Sequence, residues 1–128
     1  MSALEKGLTV GEVVKFELPL NYNRETITLA QDTDADADLE IGTVLEKSSG
    51  KWIPVATASN AAAILLEKVS KESIAAADVE ALALVRGPAI VDKDNLYVGD
   101  ATLADVATAL EALGIICRAE PTKQSVGL

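Results

Sequence analysis

Histidine is absent from the 128 residues, and cysteine, phenylalanine, tryptophan and methionine occur once each. Without histidine the commonest general base, the serine and cysteine triads that depend on it, and most transition-metal sites are excluded. Cys117 has no second cysteine for an internal disulfide. In GIICRAE it reads as a small hydrophobe of a strand, not a nucleophile. The glycines are isolated, so there is no phosphate-cradling loop, and no carboxylates are paired in an apolar setting for acid/base work. No apolar run approaches bilayer length, and MSALEKGLTVGEVVKF lacks the charged start and apolar core of a signal peptide. The expectation is a protein made in the cytoplasm, without membrane partners. Basic runs are missing too: the 11 Lys and Arg residues are scattered and the net charge is −9, a field that repels nucleic acid.

What is present is aliphatic. Hydrophobic residues make up 49% of the chain and aromatics only 3%, enough for one domain with a core of Ala, Leu, Val and Ile. The most conspicuous polar feature is TLAQDTDADADLEIGTVLEK, which places aspartates at Asp32, Asp34, Asp36 and Asp38. A calcium loop of the EF-hand kind needs glycine at its sixth position and glutamate at its twelfth. Starting at Asp32 these are Ala37 and Thr43; starting at Asp34 they are Leu39 and Leu45. Both registers fail, and alternating Asp and Ala reads more simply as a solvated loop.

RETITLA alternates as a strand with Ile27 and Leu29 on one face. IGTVLEKSSGKWIPV reads as a hairpin turning at SSGK, with Trp52 packed in it, and AIV-DKDN-LYV as a second hairpin. VVKFELPL is extended, limited by Pro19 to an edge or a terminus. TLADVATALEALG predicts a helix capped by Thr102 and Asp105, with Leu103, Val106, Ala107, Leu110 and Leu113 on its apolar face and Gly114 as its stop. A strand from Ile115 to Arg118 follows, then a polar tail. The middle, SNAAAILLEKVSKESIAAADVEALALV, favours one or two helices by propensity, although Val79 to Val85 alternates small and large residues.

Read together, NRETITLA, IGTVLEK, GKWIPV, AAILLEKV, LALVRGPAIV with DKDNL, and ALEALGII resemble, in order and spacing, the head decoration proteins of tailed bacteriophages over roughly residues 22 to 118. The resemblance implies a mainly β fold, a small β-clip or β-tulip-like domain with one α-helix near the C-terminus, assembled as a homotrimer. It makes Ile64 to Leu66 and Leu82 to Val85 strands. It divides the chain into an N-terminal arm (1–24), a decoration domain (25–118) and a flexible tail (119–128). It also implies a virion protein on the outer capsid surface, partnered by the major capsid protein and by itself, with no enzyme activity, cofactor, metal or catalytic residue. The acidic link at 31–40 departs from the family, which carries a shorter and less acidic one.

In such a protein an N-terminal arm adds a strand to the capsid. The matching stretch here is Val10 to Leu18, with Val10, Val13, Val14 and Phe16 as apolar contacts; an ordinary edge strand is the plainer alternative. Arg86, Pro88 and Ile90 are the expected trimer contacts, against an ordinary tight turn with a surface arginine. Two other functions remain open on the residues alone: a small trimeric β-fold enzyme such as a nucleotide hydrolase, and a calcium-dependent interaction module built on the aspartate run.

Overall fold

The computed structural model describes residues 8–119. Its order is α1 (Val10–Val13), β1 (Val14–Glu17), β2 (Arg24–Leu29), β3 (Val44–Ser48), β4 (Lys51–Pro54), β5 (Ala61–Leu65), α2 (Lys71–Ala76), β6 (Val79–Leu84), β7 (Ala89–Asp92), α3 (Leu103–Glu111) and β8 (Ile115–Arg118). Five strands close a barrel in the order β2-β4-β3-β5-β6, and the other three form a separate sheet, β1-β7-β8. The fold is mainly β, as expected.

Two cores explain the composition. Ile27, Leu29, Leu45, Ala63, Leu65, Ala81 and Ala83 form one with Val69 and Ile74, inside the barrel. A five-stranded barrel has little interior room, so alanines belong there. Val44, Ile64, Leu66 and Leu84 point the other way, into a second core shared with Val13, Val91, Val106, Leu110 and Ile115. Strands β3, β5 and β6 are therefore buried on both faces. In β6 the small residues face the barrel and Leu82 and Leu84 face the second core, as the alternation suggested. Ile64 and Leu65 pair with Leu84 and Ala83, which makes strands of both segments that propensity assigns to helix.

The β3–β4 hairpin forms as read, with Ser48 opposite Lys51. Ser49 and Gly50 both have positive φ, 52° and 82°, the primed turn that matches strand twist. β2 and β8 also stand where the sequence puts them. Trp52 is half-buried against the barrel core, with Lys47 Nζ 6.0 Å from the ring centroid.

Four expectations need correction. The helix near the C-terminus is not alone: α1 and α2 are short helices, and Ser70 Oγ caps α2 by accepting from Ser73 N. DKDN is not a hairpin turn. Asp92 Oδ1 accepts from Asp94 N to wind a 3-10 turn over Lys93–Asn95, and the chain then crosses to the barrel, where Tyr97 bridges Thr43. Thr102 is the N-cap of α3, but its side chain makes no capping bond. Leu113 is exposed, because the helix ends at Glu111 and the turn before Gly114 carries it off the buried face.

Glu46 is a buried carboxylate on β3. It accepts from Thr57 N at 2.9 Å and Ala56 N at 2.7 Å, and these donors hold its carboxyl below the usual glutamate range. A depressed folded pKa contributes stability above the unfolded value, which is lost as pH falls through the folded one. Glu46→Gln should lower stability at pH 7 by about 1 kcal/mol and flatten the acid side of the melting curve below about pH 4.5. Parallel melting curves for the two proteins from pH 3 to 7 would show that Glu46 plays no such part.

Candidate interaction surface

The β1-β7-β8 sheet buries one face against the second core and exposes the other. Ala89, Val91 and Ile115 point inward. On the outer face, Phe16 lies opposite Ile90, and Ile90 opposite Ile116, one apolar row across all three strands. Phe16 is 48% exposed and Ile116 40%, with Ile90 half-buried between them. The row depends on a bulge: Val14 faces Val91 and Phe16 faces the adjacent Ile90, so Lys15 is the extra residue on β1. A bulge shifts the alternation by one. It leaves Val14 packed toward the core and turns Phe16 outward.

The loop after β1 adds to this surface. Asn23 is fully buried; its Oδ1 accepts from Leu18 N at 2.8 Å, and its Nδ2 donates to the carbonyls of Arg86 at 2.9 Å and Pro88 at 3.0 Å. Arg86 donates to the Tyr22 carbonyl and to the Glu25 carboxylate, and its guanidinium lies 5.6 Å from the centre of the Tyr22 ring. Arg24 binds both oxygens of Glu17, a partner that raises its pKa further. So pinned, the loop holds Leu20 at φ 64° and Asn21 at φ 59°, and Leu20 is 96% exposed. The left-handed region costs a leucine about 1 kcal/mol or more, and among the described residues nothing covers its side chain.

A family model for the bacteriophage lambda head decoration protein D matches residues 3–116. The chain belongs to this family. No curated protein sequence matches it. The family is one of structural phage head proteins, which makes a surface that meets other proteins the natural candidate site.

Of the residues the sequence points to, Phe16 and Ile90 come together in one row. Pro88 is exposed beside them, and Arg86 donates within its own chain to the Tyr22 carbonyl and the Glu25 carboxylate. Val10 and Val14 are half-buried against the second core. Val13 is fully buried in that core and has no surface to offer a partner in this structure. The stretch expected as an arm is a helical turn followed by an edge strand on β7, the plainer alternative. Residues 1–7 of the expected arm, and all of the expected tail except Ala119, lie outside the described residues. Ile116 and Leu20 were not singled out, because cross-strand register and backbone φ leave no local mark in sequence.

The aspartate run is a loop. Asp32 Oδ1 accepts from Asp34 N at 3.0 Å, and Asp38 Oδ1 accepts from Lys71 N, at the start of α2, at 2.9 Å. That helical N–H lowers the Asp38 pKa. Among the described residues no three His, Cys, Asp or Glu side chains gather as a metal site, and no helix is long and apolar enough to cross a membrane. Cys117 faces the second core from β8, and burial lifts its pKa to about 11.

Proposed function

We infer that the chain decorates the outside of the expanded phage head as a homotrimer, at three-fold and pseudo-three-fold positions, and clamps neighbouring major capsid subunits against the pressure of packaged DNA. The observation that carries this reading is the family match over residues 3–116. The surface supports it: an apolar row and an exposed leucine on a pinned loop suit contact with protein more than contact with water. Val14 and Phe16 on β1 and Val10 on α1 are assigned to the capsid, and Arg86, Pro88 and Ile90 to the trimer. Val13 supports β1 from beneath. Three modest contacts on one rigid body bind far more tightly than each alone. Because the site forms only after expansion, binding stabilises the expanded head by mass action.

Light scattering should give three times the chain mass, and the protein should cosediment with expanded heads but not with unexpanded procapsids. Phe16→Asp is exposed and should fold normally. A loss of about 1.4 kcal/mol per contact is tenfold for one subunit and about a thousandfold for a trimer bound at all three. A monomer at micromolar concentration that ignores expanded heads would sink the reading, whereas unchanged head binding by Phe16→Asp would remove only the assignment of β1.

A further inference from the structure

The acidic link borders a hollow of about 690 Å³ that reaches Leu29 and Ile74 of the barrel core and takes no residue from the β1-β7-β8 sheet. Leu39, Trp52, Ile53 and Pro54 supply apolar walls, and Asp32 and Asp36 stand at the rim. No lysine or arginine lines it. Of the cations near it, Lys68 lies 3.6 Å from both Asp38 and Glu40, Lys51 lies 2.6 Å from Asp78, and Lys47 Nζ lies 6.0 Å from the centre of the Trp52 ring. Among the described residues Asp36 makes no hydrogen bond or ion pair. Asp32 uses only Oδ1, for Asp34 N. Asp32 and Asp36 thus put two carboxylates without an ion-pair partner among the described residues beside apolar walls, in a chain whose net charge of −9 strengthens the field.

We propose that this hollow docks an extended segment of a partner protein in which a lysine or arginine is flanked by apolar side chains. Charge complementarity selects the occupant. A long cationic side chain can lay its methylene stem on Trp52 and Pro54 and bring its head to the Asp32 and Asp36 carboxylates. Its apolar neighbours fill the space against Leu39 and Ile53. A bare cation meets too few carboxylates here and gains nothing from the apolar walls. A neutral apolar peptide forgoes the rim. The proposal is independent of capsid decoration, since it uses other residues and is tested on the protein alone.

Trp52 is the only tryptophan, so its fluorescence reports directly on the hollow. The probe is a blocked pentapeptide, Leu-Lys-Leu-Arg-Leu, with Leu-Gln-Leu-Gln-Leu as control. The cationic peptide should shift Trp52 emission saturably, with an affinity that falls as salt rises. Asp32→Asn with Asp36→Asn keeps an acceptor for Asp34 N, so it should leave the melting temperature unchanged and weaken binding about fivefold, as two exposed ion pairs allow. Four results overturn the proposal: equal binding of the two peptides, no saturable shift up to about 1 mM peptide, the same shift with calcium alone, or a smaller particle mass for the double variant. The last would make the occupant a second copy of this chain.

Discussion

Gly87→Ala should cost the fold about 3 kcal/mol or more, a large share of the stability of a small domain. A Cβ at this position would sit 2.0 Å from the Gly114 carbonyl oxygen and 2.3 Å from its carbon. Those are backbone atoms and cannot rotate away. Nor is there room to slide, because Gly87 N donates to Leu113 O at 2.9 Å and Ala89 N to Gly114 O at 3.2 Å, which continues the β7–β8 pairing into the turn that ends α3. The helix end and the start of β7 must therefore separate together, and Leu110 and Ile115, both fully buried, move with them. Gly11→Ala is the control: it lies in α1 with open space at its Cβ position, and alanine is the better helix former by about 1 kcal/mol. Urea unfolding of the two variants should move in opposite directions, and a Gly87→Ala variant within about 1 kcal/mol of the parent would show that the close approach of the two glycines is not tight in solution.

What was legible in the sequence is what one local pattern specifies. β2 has one buried face, so its alternation shows; the β3–β4 hairpin carries its turn chemistry; α3 covers a core with a single stripe. In the middle, α2 forms where propensity allows a helix, but β5 and β6 defeat propensity for a physical reason. A strand buried on both faces shows no polar alternation, and a narrow barrel fills its inner face with alanine, so β5 and β6 imitate helix in composition. The family resemblance makes strands of Ile64 to Leu66 and Leu82 to Val85, and there β5 and β6 agree with it and not with propensity. The interaction surface was half legible. Phe16 and Ile90 were picked out on separate grounds and assigned to different partners; only the register, with Lys15 as the bulge, puts them side by side. Val13 looked like its neighbours in VVKF, but it closes the helical turn and points into the core. The aspartate run is the loop its alternation implies, while the hollow beneath it needs Trp52 and Pro54 from β4, about twenty residues away in the chain.

Asn23→Ala should cost the fold less than Gly87→Ala but still about 2 kcal/mol, and it should separate stability from surface function. Asn23 looks like one more turn residue in LNYNRE, yet it is fully buried and its amide joins three backbone groups. Truncation would leave Leu18 N and the carbonyls of Arg86 and Pro88 without this partner; the bonds are part-buried, so a loss of about 2 kcal/mol is expected. Asn23→Asp should be worse at pH 7, because a buried carboxylate would face two carbonyl oxygens; it should partly recover as pH falls, since the protonated acid can donate to one of them. The three groups tied by Asn23 belong to the loop that presents Leu20 and Tyr22 and to the Arg86–Pro88 turn beside Ile90. Releasing them lets the left-handed turn at Leu20 and Asn21 relax. Head binding of Asn23→Ala, measured well below its melting temperature where the chain is folded, should therefore fall further than that of a barrel variant of equal stability such as Ile27→Ala. Equal binding by the two would mean that the loop is scaffold only and that the row on the sheet makes the contact without it.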